Sequence, residues 1–168
     1  MKKTVRIAAV SGVVILMLWT GYTLLERSYK RSLLPQKLET GWFFAEWVCS
    51  HSDIMSRQSA FVFSLTDDTI AAIEREQLGF FAGIREPGNA PIRRYFDGEW
   101  KTTPAPHEYA GDSGGLPGNL YCGQRSWFWP RGIKEELRQP GNYYQESGGR
   151  GLYVLPRLGV VVASVKDR

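Results

Sequence analysis

The sequence predicts an α+β fold. It comprises one N-terminal transmembrane helix, then a compact single domain with a small, mainly antiparallel sheet, two or three short helices and a C-terminal β-hairpin. Three observations carry this expectation. Residues 7–25 contain no charged side chain, Ala60 to Leu65 alternates with a period of two, and residues 67–78 carry a helical apolar pattern between a Thr66 or Asp67 cap and Gly79. A chain of 168 residues holds one domain of ordinary size and excludes a multidomain machine. With 43% hydrophobic and 13% aromatic residues it is too apolar for disorder, and with 2 Cys it is not a disulfide-dense miniprotein. The net charge of +4 sits largely near the N-terminus, so no nucleic-acid footprint is expected.

Residues 1–6 form a basic tail with Lys2, Lys3 and Arg6. The apolar run that follows, at 1.5 Å per residue, gives about 28 Å of helix, close to the hydrocarbon thickness of a bilayer. It is longer than the apolar region of a cleaved signal peptide and lacks an A-x-A-like cleavage site, which favours an uncleaved signal anchor spanning a lipid bilayer once. Trp19 and Tyr22 suit an interfacial aromatic belt, and Ala8 with Gly12 forms a small-xxx-small pair. Flanking charges nearly balance across the span. A short, triply basic tail resists translocation, so the expected topology is N-terminus cytoplasmic and C-terminal domain periplasmic, in the inner membrane. Residues 26–37 are expected as a charged stalk, in which Pro35 stops any continuation of the membrane helix, and 38–168 as the extracytoplasmic domain.

Within the domain, Thr40 is placed to cap a short helix over Trp42 to Cys49, where Phe43 and Trp47 stand one turn apart. Ala60 to Leu65 reads as a strand. Thr66 or Asp67 then caps an amphipathic helix over about 67–78, with Asp67 and Asp68 at its positive end and Gly79 at its C-cap. Phe80 to Ile84 and Ile92 to Phe96 are expected as strands around the Pro87-Gly88-Asn89 turn, and residues 102–118 as loop. Ile133 to Arg138 lies between Pro130 and Pro140-Gly141 and reads as a short helix. Gly151 to Leu155 and Val160 to Val165 flank Pro156-Arg157-Leu158-Gly159 as a terminal hairpin whose continuous apolar run is expected to be buried on both faces.

Cys49 and Cys122 are the only cysteines. In an oxidising compartment they are expected to pair, and a loop of this length gives roughly 4 kcal/mol of chain-entropy stabilisation. The alternatives are two buried thiols in a cytosolic domain, or zinc ligation by Cys49, His51 and Asp53 with Cys122. The second segment offers no paired ligand at zinc spacing, so no metal and no cofactor are expected.

Gly111-Asp112-Ser113-Gly114-Gly115 resembles the nucleophile loop of chymotrypsin-like serine proteases. That resemblance implies a Ser113 nucleophile activated by a His and an Asp beside backbone oxyanion donors. His51 with Asp53, or His107, are the available partners. Gly148 to Pro156 followed by Leu158 to Val162 resembles the closing strand pair of β-lactamase-like serine hydrolases, and implies a similar pair of strands here. Those enzymes use a Ser-x-x-Lys nucleophile, and no Ser in this chain has Lys at that spacing.

The remaining signal is aromatic. Trp127, Phe128 and Trp129 cannot all point one way in regular backbone, so part of this run, flanked by Arg125 and Arg131, is expected at an interaction surface or at headgroup level. The expected function is a single-pass, non-enzymatic accessory or assembly component of the cell envelope with a protein partner. The alternative is a small envelope serine hydrolase using Ser113.

Overall fold

A computed structural model describes residues 2–53, 56–84, 96, 98–105, 116–117, 120–124 and 126–166, with the side chains of 2–10, 50–53, 56–57 and 166 outside that description. Helix α1 (Lys2–Ser32) leads into a hairpin of β1 (Thr40–Asp53) and β2 (Ser56–Leu65), then α2 (Asp67–Glu76) and a 3-10 turn (Gln77–Phe81). There follow β3 (Lys101–Thr102), α3 (Leu120–Gly123), α4 (Ile133–Glu136), β4 (Tyr143–Ser147), β5 (Arg150–Leu155) and β6 (Val160–Lys166). The six strands form one antiparallel sheet in the order β1-β2-β6-β5-β4-β3, so the C-terminal strand closes the gap between the first hairpin and the last. An α+β domain is therefore correct.

Helices and turns cover the sheet on both faces, which explains why its central strands lack a polar side. Phe61, Phe63, Leu152, Val154, Val161 and Ala163 pack under α2 and the 3-10 turn, against Ile73, Phe80 and Phe81. Ala60, Val62, Tyr153, Leu155 and Val162 face the other way, toward Leu120, Trp129, Ile133 and Leu137. Alternate residues of each strand thus enter different clusters, as the pleat requires. Truncating one such Leu or Phe to Ala costs about 2–5 kcal/mol. The closing hairpin follows the sequence pattern, with Pro156–Leu158 as a 3-10 turn and Gly159 at φ 63°, a left-handed conformation that favours Gly.

Three local expectations are corrected. Trp42 to Cys49 is not a capped helix but the body of β1. Residues four apart share a face in a helix and also in a strand, so the Phe43–Trp47 spacing fits both, and pairing with β2 decides between them. Phe80 to Ile84 is not a strand. Phe80 and Phe81 are adjacent and both buried, and a tight 3-10 turn presses both onto one face of the sheet. Helix α2 ends at Glu76 with Gln77 at φ 50°, so Gly79 is not its C-cap, whereas Thr66 is its N-cap, its side chain accepting from the Thr69 amide. The expected strand Ile92 to Phe96 lies outside the described residues apart from Phe96, which is buried.

The N-terminal expectations divide. Residues 26–37 are not a free stalk: α1 runs through them to Ser32, and Lys30, Leu33, Leu34 and Leu38 are buried in the domain. Among the described residues no helix is long and apolar enough to cross a membrane. The charge-free side chains described in α1 begin at Ser11 and end at Leu25, about 22 Å of helix at 1.5 Å per residue, and those of Ile7 to Val10 lie outside the description.

Candidate functional site

The junction between α1 and the sheet is where the molecule departs most from an ordinary globular surface. Glu46 stands in the otherwise apolar run of β1, and a carboxylate there needs a partner. Lys30 supplies it: Nζ lies 3.1 Å from Oε1, with the two side chains 2% and 5% exposed. The same ammonium sits over the Phe61 ring at 5.6 Å and the Tyr29 ring at 5.7 Å. Burial pushes the Glu46 carboxyl up, but the Lys30 charge and hydrogen bonding with Glu26, Ser59 and Lys30 outweigh it and hold the group below its ordinary range. Desolvation lowers Arg31 against the opposing pull of Glu39. Arg27 Nη2 donates to the Gly41 carbonyl at 2.8 Å, and Lys37 Nζ donates to the Phe80 carbonyl at 2.6 Å. Together with Leu33, Leu34 and Leu38 these contacts join the last turns of α1 to the domain as one body.

Cys49 and Cys122 form a disulfide, with Cα atoms 5.2 Å apart, which ties edge strand β1 to α3. Below it Trp47 and Trp129 meet edge to face with ring centroids 4.8 Å apart. Gly123 leaves room for this: a Cβ there would collide with the Trp129 ring. Both thiols are thus committed to each other, and among the described residues no group of three or more His, Cys, Asp and Glu converges for a metal.

The aromatic run splits. Trp129 is buried, while Trp127 and Phe128 are 84% and 57% exposed, their ring centroids 4.1 Å apart. Phe128 also faces α1 across a shared pocket. With Thr23, Glu26, Phe44, Glu46 and Trp47 it lines a cavity of about 290 Å³ at the outer edge of β1. Trp42, next to the Gly41 carbonyl that Arg27 holds, is 85% exposed. Further toward the N-terminus of α1, Trp19 and Tyr22 are 67% and 57% exposed.

Of the other residues named from sequence, Arg131 is exposed, and Arg125, Ser113 and His107 lie outside the described residues. His51 and Asp53 are on β1, with side chains outside the description. Sequence reasoning missed the Lys30–Glu46 pair and the exposure of Trp42. The lone carboxylate among the aromatics of β1 was the signal for the first. No family model, curated protein or solved structure matches the chain.

Proposed function

We propose that this is a single-pass protein of the inner membrane, anchored through residues 7–25. Its C-terminal domain stands on the periplasmic side as a non-enzymatic accessory or assembly component of the cell envelope, acting through a protein partner. One observation carries the reading: every residue from Ser11 to Thr20 of α1 is exposed although most are apolar, while the charged turn that follows is built into the domain. An apolar helix surface of that kind needs an apolar surrounding, and the full uncharged run of residues 7–25, about 28 Å as a helix, is what we take a bilayer to accommodate. The Cys49–Cys122 bridge favours an oxidising compartment for the domain. The basic tail favours retention of the N-terminus in the cytoplasm.

The test uses the whole chain carrying Glu135→Cys, an exposed position on α4. In cells with a permeabilised outer envelope, a membrane-impermeant maleimide is expected to label it before lysis, and the protein is expected to stay with the membranes through alkaline extraction. Labelling only after lysis overturns the topology, and release into the extract overturns the anchor.

A further inference from the structure

We propose that Trp42, Trp127 and Phe128 form an aromatic collar that sits in the headgroup layer of the bilayer that α1 enters, so that the domain lies against the lipid surface instead of standing off from it. The inference rests on the membrane reading of α1 and adds a second, independent contact with the same bilayer. Three features of the junction point to a lipid surface as the occupant.

The first is continuity. Phe128 shares the wall of one cavity with Thr23 and Glu26, the point at which the uncharged half of α1 ends. Trp42 follows the glycine whose carbonyl accepts from Arg27, one residue beyond Glu26. Both exposed segments of the domain therefore lie near the turn of α1 at which its uncharged run ends. From Tyr22 to Arg27 the helix rises about 8 Å, comparable with the headgroup layer on one side of a bilayer.

The second feature is rigidity. Lys30 is buried on Glu46, and Leu33 and Leu34 are at most 1% exposed, contacts that hold the end of α1 on the domain and oppose a swing that would lift these rings away. A bilayer that takes up residues up to Leu25 would bring its polar layer to the Phe128 side of the domain, where Trp127 stacks on Phe128, and to the strand end that carries Trp42.

The third is chemistry. Large rings are costly in bulk water at 85%, 84% and 57% exposure, and Trp in particular favours the headgroup layer, where its ring is half desolvated and its N–H finds a partner. Arg131, exposed two residues beyond Trp129, supplies a cation for lipid phosphate.

The experiment reconstitutes the purified full chain in vesicles of phosphatidylcholine and phosphatidylglycerol. A fluorescent probe is attached in turn at Leu16→Cys, Trp127→Cys, Phe128→Cys and Glu135→Cys, all exposed positions, with the native disulfide intact. Lipids carrying a nitroxide near the headgroup or near the chain end, and aqueous iodide, serve as quenchers. At 127 and 128 strong quenching by the shallow lipid nitroxide and weak quenching by the deep one and by iodide are expected, with iodide alone effective at 135. Deep quenching at 16 combined with iodide quenching and no lipid quenching at 127 and 128 overturns the collar alone, and leaves these rings as a surface for a protein partner. Iodide quenching at 16 overturns the membrane reading and the collar with it.

Discussion

The two halves of α1 obey opposite rules. In the half that ends at Ser32, a lysine is buried 2% exposed on a glutamate from β1. In the half before it, Ile15, Leu16, Met17 and Leu18 are 65–70% exposed. A helix on a water-soluble domain does the reverse, burying its aliphatic stripe and presenting its cations to solvent. On the proposed membrane reading, the difference marks where the surrounding medium changes. The charged half finds its partners inside the protein, and the apolar half is proposed to find them in lipid.

The largest effect separates the halves directly. Val14→Arg with Leu18→Arg places two cations at the centre of the apolar half. At about 2.5–3.5 kcal/mol each for a bilayer-buried helix, the pair is expected to move the protein out of the membrane fraction while leaving the domain's unfolding midpoint unchanged. Unchanged partitioning would mean that this half is not in lipid. On the domain side, Cys49→Ser with Cys122→Ser frees a loop whose closure is worth about 4 kcal/mol, read as a lower unfolding midpoint with membrane partitioning retained.

Lys30→Met leaves Glu46 buried without its cation. It is expected to cost about 3 kcal/mol in denaturant unfolding, with most of the loss recovered by adding Glu46→Leu, because a matched apolar pair removes the stranded charge. If the single variant is neutral, the junction is not a clamp and the comparison between the halves loses its force. The same pair fixes a pH dependence. The Glu46 carboxyl titrates below its unfolded value, so its contribution is full above the ordinary Glu pKa of about 4.3 and is lost as the pH falls through the lower folded value. A stability profile in that acid window is expected to flatten in Glu46→Gln. The smallest effect lies far from α1: Thr66→Ala removes the cap that accepts from the Thr69 amide and is expected to cost about 1 kcal/mol by thermal unfolding.

What the sequence made legible was local. The strand at Ala60 to Leu65, the capped helix after Thr66 and the closing hairpin each carry their own periodicity and turn residues, so no distant contact was needed to read them. The Cys49–Cys122 bridge was legible because only one pairing exists. The misread segments are those whose conformation a distant element decides. Trp42 to Cys49 has a spacing that suits helix and strand alike, and only the ladder with β2 selects the strand. Arg27 to Gln36 looks like solvated stalk by composition, and Glu46, sixteen residues beyond Lys30, is what offsets the burial of that cation on the sheet. In Trp127 to Trp129 the need for a divided orientation was legible. Which ring turned inward depended on the space left by Gly123 and on Trp47 across the domain.

The most direct measurement of the central claim is hydrogen exchange along α1 in the full chain, reconstituted in lipid bilayer discs. A single rod shared between lipid and domain predicts slow exchange without a break from the apolar half through Ser32. Rapid exchange confined to residues 26–37 would restore the stalk and contradict the clamp, and rapid exchange across residues 11–25 would contradict the lipid-buried half.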